Sequence, residues 1–318
     1  MTPVPAMDEF GLIERIRARA APGHGVTLGI GDDAAVLTPT PDHQLAVTTD
    51  SLVLDRHFTP DWPAEDVGHL AAHANLSDLA AMGAAPRWAL LALTLPHIEE
   101  RWIDGFLDGF LAAAEAADMA LVGGNLARGA LNIGVELIGE LPAGQAVTRH
   151  GGRPGDRLVV TGTVGDAAAA LRLGDQAGSD LRARLRRPTA RVTAGQVLRA
   201  SARAMIDLSD GLLADLNHLL QAGLGAEVDL DALPASAALK RAVADPVERF
   251  RLQTGGGSDY ELLAVLPAAA DLEALARDAR VDLTAIGVIG GEGGVVCRSA
   301  QHAVPAGLGA GWDHFRHD

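Results

Sequence analysis

Cysteine and lysine each occur once in this 318-residue chain, and aromatic residues make up only 3% of it. The lone cysteine, Cys297, excludes an intrachain disulfide and any cysteine-rich zinc or iron–sulfur centre. The lone lysine, Lys240, lies in Ala-Ala-Leu-Lys-Arg-Ala, a helical pattern without flanking glycines. A Walker A loop needs its lysine directly after phosphate-cradling glycines, and a protein kinase needs one on a strand beyond its Gly-rich loop. Both of these nucleotide-binding solutions are therefore excluded. Positive charge is scarce overall: 26 Lys and Arg stand against 41 Asp and Glu, a net charge of −15. That balance argues against nucleic acid or an anionic membrane surface as a partner, because both need basic patches. No apolar run reaches the roughly 20 residues that span a bilayer. The N-terminal MTPVPAMDEFGLIERI has neither the basic nor the apolar region of a signal peptide. A soluble cytoplasmic protein is the expectation.

What the chain does have is 48% apolar residues, enough for a sizeable core built largely from Ala, Leu and Val. At roughly 150 residues per domain, its length suggests two domains. Helical patterns cover residues 8–20, 63–82 and 99–117, the last with Trp102, Phe106 and Phe110 recurring every four residues as a core stripe. Strand patterns cover 26–30, 35–37, 44–49, 88–95 and 131–137, with a further strand at Leu121–Val122 leading into Gly123-Gly124. The Gly- and Pro-rich stretch 141–156 marks a domain junction, which sets domains of 1–141 and 142–318. Beyond it, strands at 158–161, 226–230, 260–266 and 284–289 alternate with helices at 166–172, 180–198 (interrupted at Pro188), 212–221, 235–244 and 269–279. The expected architecture is α+β: two domains, each a mixed β-sheet with helices on one face.

Acidic residues recur inside short segments that are otherwise small or apolar: Gly31-Asp32-Asp33, Thr48-Thr49-Asp50, Asn75-Leu76-Ser77-Asp78 and Asp207-Leu208-Ser209-Asp210. A carboxylate that loses water on folding is costly unless something cationic compensates it. Few basic residues lie nearby in sequence, so divalent cations are the natural compensation. Oxygen ligands suit Mg²⁺, which typically sits between one or two carboxylates and a substrate phosphate. The pattern points to phosphoryl transfer. Thr48 and Asp50 share a strand face, so a hydroxyl and a carboxylate could grip one ion. The same residues also serve local structure: Asp and Gly favour turns, and Ser77, Asp78, Ser209 and Asp210 are good helix N-caps. A helix N-terminus after Ser209 would itself be an anion site.

Weaker candidates complete the set. Gly124 and Asn125 follow a strand, as a phosphate-approach turn would. Arg149 lies at the junction, His57 in Asp-Arg-His-Phe, Ser258 in a glycine-rich turn before a strand, and Trp312 in a C-terminal Gly-Trp-Asp-His-Phe.

In order and spacing, GIGDDAAVL, TTDSLV…HF, NLSDLAAMGAAPRW, LVGG, TRHGGRPGD, VTGTVGDAAAAL, IDLSDGL…DL and WDHF together resemble the thiamine-monophosphate kinases. These belong with the aminoimidazole ribonucleotide synthetase-like, ATP-using homodimers. The resemblance implies N-terminal ATP- and Mg²⁺-binding domains that pair into a barrel-like dimer core, and a C-terminal α/β domain that completes the active-site cleft. It implies Mg²⁺ ligands at Asp33, Thr48, Thr49, Asp50, Asp78, Asn125, Asp207 and Asp210, with Asp33, Asp50, Asp78 and Asp210 at the chemistry. Nucleotide contacts fall at Gly124, Asn125, Arg149 and Ser209, and substrate contacts at His57, Ser258 and Trp312. The implied reaction moves the γ-phosphoryl group of ATP onto thiamine phosphate, giving thiamine diphosphate. An acceptor that is already ionised needs no strong base, so the task is to bring two polyanions together. Asn125 and Ser258 stand where the family usually carries Asp and Glu. A same-fold enzyme with another acceptor, and a ligand-binding paralogue without turnover, are the alternatives.

Overall fold

The computed structural model describes residues 7–291, 293–309 and 311–312. The chain divides into two compact units, Met1–Leu79 with Ala85–Ala143 and Ala80–Ala84 with Gly144–Asp318.

The first unit contains α1 (Glu9–Arg19), β1 (Val26–Leu28), β2 (Val36–Leu37), β3 (His43–Val53), α2 (Ala64–Ala81), β4 (Ala85–Leu95), α3 (Glu100–Ala116), β5 (Ala120–Arg128) and β6 (Asn132–Pro142). Its main sheet runs β3-β6-β4-β5, with β4 and β5 parallel and the other neighbours antiparallel. Alternation along β6 buries Ile133, Val135 and Leu137 on one face. The helices pack with unusually close backbones: a Cβ on Gly109 would lie 1.9 Å from Glu65 O, and one on Gly68 would lie 2.0 Å from Phe106 O. Only glycine lets α2 and α3 approach this closely. Phe106 and Phe110 are fully buried, and Trp102, Phe106 and Phe110 stack in succession at 5.4 and 6.1 Å, as a core stripe should.

One local expectation is overturned here. The Gly123-Gly124 turn does not exist: β5 continues through it to Arg128, with a bulge where Leu121 pairs Ala89 and Gly123 pairs Leu90. Gly124 is required by its neighbour, because a Cβ there would fall 1.9 Å from Leu91 O. Asp78 lies inside α2, which runs unbroken to Ala81 as the helical pattern over 63–82 predicts, so it caps no helix.

The second unit contains β7 (Arg157–Thr161), α4 (Asp166–Leu173), α5 (Ser179–Arg186), α6 (Val192–Leu198), β8 (Ala204–Asp207), α7 (Leu212–Leu219), β9 (Gly225–Asp229), α8 (Ala237–Ala242), α9 (Pro246–Gly255), β10 (Leu262–Leu266), α10 (Leu272–Ala279), β11 (Leu283–Gly290) and β12 (Val295–Arg298). Its mixed sheet has the order β12-β9-β11-β7-β10-β8, and only β12–β9 is parallel. Helices cover both faces of this sheet, not one. Leu263 and Val265 of β10 join a core with Leu212, Leu216 and Phe250 of α7 and α9, whereas Leu262, Ala264 and Leu266 join one with Ala194, Leu198 and Ala279 of α6 and α10. Burial on both faces is why β10 reads as an unbroken apolar run.

Candidate active site

In the first unit, β3 and α2 bring together part of the expected oxygen set. Thr48 pairs Leu137 and Asp50 pairs Val135, so both point to the sheet face that carries the buried side chains of β6. There the Thr48 hydroxyl donates to Asp78 Oδ2 at 2.5 Å, joining strand to helix. On α2, one turn before Asp78, Asn75 is 1% exposed and its Oδ1 has no hydrogen-bond partner, as is also true of the buried Ser77 Oγ.

The other expected ligands of this unit stand apart. Thr49 pairs Glu136 on the opposite face of β3, so its hydroxyl does not join Thr48 and Asp50. Asn125 pairs Ala92, which pairs Gly134, which pairs Ser51; this places it on the face of Thr49. Three strand spacings separate β5 from β3, about 14 Å, so Asn125 cannot share an ion with the β3 set. Asp33 is exposed in the β1–β2 connection, where its N–H donates to Asp32 Oδ1 at 2.8 Å. His57 follows β3, and its Nδ1 accepts the Val53 N–H at 3.0 Å. That bond fixes the neutral ring with its proton on Nε2.

In the second unit, three loops meet at one end of the sheet. Asp207 ends β8 opposite Leu262, and Leu263 of β10 pairs Val160 of β7. The segment 256–261 is tied to the 207–211 loop by Ser258 N–H to Ser209 O (2.8 Å), Tyr260 N–H to Leu208 O (2.9 Å) and Leu208 N–H to Glu261 O (2.8 Å). Trp312 N–H donates to Asp210 O at 3.0 Å. Asp207, Ser209, Asp210, Ser258 and Trp312 are thus gathered, while Arg149 is exposed on the segment whose Thr148 O accepts from Met205 of β8. The Asp-His-Phe after Trp312 lies outside the described residues. Ser258 and Tyr260 take φ of +64° and +51°, a strained pair that the surrounding contacts hold in place.

Neither Ser209 nor Asp210 caps α7. The cap residue is Gly211, and its N–H and that of Asp210 point inward to Asp215 Oδ2, at 3.1 and 3.2 Å. These amides are therefore not an open phosphate cradle. Burial, then the charge of Asp210, pushes the Asp215 carboxyl up to about 7, against the lowering effect of the main-chain N–H groups.

The sequence reading missed a buried carboxyl group beside these loops. Glu261 is fully buried and accepts from Arg191 Nε at 2.6 Å, from Arg184 at 2.9 Å and from Thr161 Oγ1 at 2.6 Å. Asp259 accepts the Gly165 N–H, and burial drives its carboxyl well above the usual range, helped by the charges of Glu261 and Asp166. The rule that flagged Asp78, a carboxylate among small residues, also applies to Asp166 in Val-Gly-Asp-Ala-Ala and to Glu261 in Asp-Tyr-Glu-Leu-Leu. A cavity of about 880 Å³ opens beyond Glu261, lined by Arg184, Arg191, Arg241 and Arg277 among others. Arg184 and Arg191 are committed to the buried Glu261, and Arg241 pairs with the exposed Asp180.

Among the described residues, no group of three or more His, Cys, Asp or Glu could hold a metal ion alone. Mg²⁺ is typically held by one or two carboxylates and completed by water and substrate phosphate. The donors are all hard oxygens, and Asn75 Oδ1 adds an unsatisfied one beside Asp78. The residues present fit that ion.

Residues 31–141 match the family described as AIR synthase related protein, N-terminal domain, and residues 153–299 its C-terminal domain. A curated relative, the thiamine-monophosphate kinase of Salmonella typhimurium, is 46% identical over 272 residues, covering 82% of this chain and 83% of the relative. The crystal structure of thiamine-monophosphate kinase from Stenotrophomonas maltophilia K279a superposes with a TM-score of 0.85 at 45% identity, over 92% of this chain and 96% of that one. AaThiL complexed with AMPPCP and TMP superposes with a TM-score of 0.74 at 31% identity, over 99% of both chains. With family domains matched in order along most of its length, the chain belongs to the AIR synthase related proteins, among the thiamine-monophosphate kinases.

Proposed function

We propose that this chain transfers the γ-phosphoryl group of ATP directly to the phosphate of thiamine phosphate, giving thiamine diphosphate and ADP. The observation that carries the reading is the full-length likeness to a homologue complexed with AMPPCP, an ATP analogue, and TMP, together with 46% identity to a curated thiamine-monophosphate kinase. The residues suit this chemistry. The acceptor oxygen is already ionised, so the chain supplies no strong base; its work is positioning and charge compensation.

We assign Asp33, Thr48, Asp50 and Asp78 in the first unit, and Asp207 and Asp210 in the second, to Mg²⁺ ions, with Asn125 at a separate ion and Thr49 acting through its main chain. Bound Mg²⁺ would supply charge neutralisation between the phosphates of the two substrates. Gly124, Asn125, Arg149 and Ser209 are the nucleotide contacts in this assignment. His57, through its Nε2–H, and Ser258 and Trp312 take thiamine phosphate. Trp312 is 52% exposed, which leaves its ring a face for stacking. We divide the chain at residues 141 and 142: ATP and Mg²⁺ binding and dimerisation before, and an α/β domain that completes the active-site cleft after. A cytoplasmic homodimer completes the reading. Its support is Leu45 and Val47, 47% and 68% exposed on the same face of β3, an apolar patch that a second copy would cover.

Incubation of the pure protein with Mg-ATP and thiamine phosphate should yield thiamine diphosphate and ADP in equal amounts. Binding of both ligands without ADP formation would leave only a binding protein.

A further inference from the structure

The turn Ser209-Asp210-Gly211 carries two of the assigned ligand-facing side chains, and its main chain is held almost entirely by other parts of the second unit. Ser209 O accepts from Ser258 and Asp210 O from Trp312, so the carbonyls of this turn are fixed from the substrate side. Gly211, at φ +125°, packs against the end of α9, where a Cβ would lie 3.0 Å from Gly255 C. The N–H groups of Asp210 and Gly211 face the other way, and one side chain, Asp215 from the first turn of α7, collects both on Oδ2. Asp215 is 3% exposed, against half-buried Ser209 and Asp210 above it. A carboxyl this deeply buried does not touch a ligand in solvent; its contacts are the amides beneath the turn. Left without it, the buried Gly211 amide and the part-buried Asp210 amide would lose their acceptor, and the turn would relax to satisfy them.

We propose that Asp215 is a positioning residue: by gathering the amides of the 209–211 turn from below, it fixes the backbone from which the Ser209 hydroxyl and the Asp210 carboxylate project toward nucleotide and metal. This rests on the kinase assignment for its kinetic consequences, but the geometry of the turn stands independently of it. Two consequences separate positioning from charge. Both bonds end on one oxygen, so an amide oxygen placed there can accept both. The residue should therefore tolerate Asn and not Ala, whereas a ligand carboxylate such as Asp210 should tolerate neither.

The test compares Asp215→Ala, Asp215→Asn and Asp210→Asn in the full chain by thermal unfolding, steady-state kinetics and Mn²⁺ titration followed by electron paramagnetic resonance. Supporting carboxylates behind metal ligands typically cost about 10- to 100-fold in metal affinity or activity when removed. Asp215→Ala should raise the half-saturating metal concentration about 10-fold or more, with a fall in kcat. Asp215→Asn should stay within about threefold of the parent in both. A folded Asp215→Asn as impaired as Asp210→Asn would overturn the proposal, as would a folded Asp215→Ala with unchanged metal dependence. If Asp215→Ala does not fold, the Asn variant decides alone. If the parent forms no thiamine diphosphate, the kinase reading falls. The Mn²⁺ titration then still decides the positioning role, by the same order of affinities.

Discussion

At the scale of single residues, side chains assigned to ligands differ from those that hold them in place. Asp50 is exposed on β3, so an isosteric replacement should leave the fold intact. Asp50→Asn is expected to lower kcat/KM by about 100-fold, equivalent to about 2.7 kcal/mol of transition-state stabilisation. Its unfolding midpoint should stay within about a degree of the parent, because surface changes move stability little. A variant that loses stability together with activity would show that Asp50 is structural. Asp259 is the opposite case. Its carboxyl is fully buried and titrates well above its ordinary range, so the folded state keeps a proton that the unfolded chain releases near pH 4. The folded state thus binds more protons, and stability falls as pH rises from about 4 through the folded value. Urea unfolding of the parent between pH 5 and 8 should show this fall, and Asp259→Asn should make it shallower, leaving the part that Asp215 contributes. Parallel curves for parent and variant would contradict the assignment. Much of this was readable in the sequence: the acidic residues themselves stood out among small neighbours. Their partners did not. Nothing local to Asp215 or Glu261 announces the turn or the arginines that lie beside them after folding, since those contacts join residues from 4 to 77 positions apart.

At the scale of elements, the long helical patterns and the apolar runs of β7 and β10 are legible, whereas β8 and α9 are not. Helices α2 and α3 and strands β4 and β6 sit within a few residues of where periodicity put them. The reading missed β8, four residues buried on both faces that show no alternation. It also missed α9, although Asp245 and Pro246 form a cap and first-position pair: the Asp245 carboxylate accepts the Val247 N–H at 3.0 Å. The Gly255–Gly257 run drew the eye as a flexible turn, yet Gly255 closes that helix. Close packing of α2 on α3 was equally invisible, because a glycine in a helix pattern reads only as a weak helix former. It has a measurable consequence. Gly109→Ala places a methyl group against Glu65 O and should destabilise by about 1–3 kcal/mol or more. Gly291→Ala, which meets nothing within 4 Å, should be close to neutral. Equal melting temperatures for the two variants would mean that α2 and α3 do not approach as described.

At the scale of the whole molecule, the apolar face of β3 is the surface proposed to pair two copies. Val47→Glu puts a charge into the patch proposed to pair, so light scattering after gel filtration should report a dimer for the parent and a monomer for the variant. An unchanged mass would remove the β3 face from the interface. The chemistry has a sharper test. The chain lacks a lysine cradle and brings oxygen ligands instead, so the account requires cation-dependent transfer of one phosphoryl group between two phosphates. The measurement is the fate of label from γ-³²P-ATP incubated with thiamine phosphate, with Mg²⁺ and after its removal by EDTA. Label should appear in thiamine diphosphate, matched one-to-one by ADP and abolished by EDTA until Mg²⁺ is restored. Label that appears only as inorganic phosphate, or that reaches thiamine diphosphate undiminished in EDTA, would contradict it.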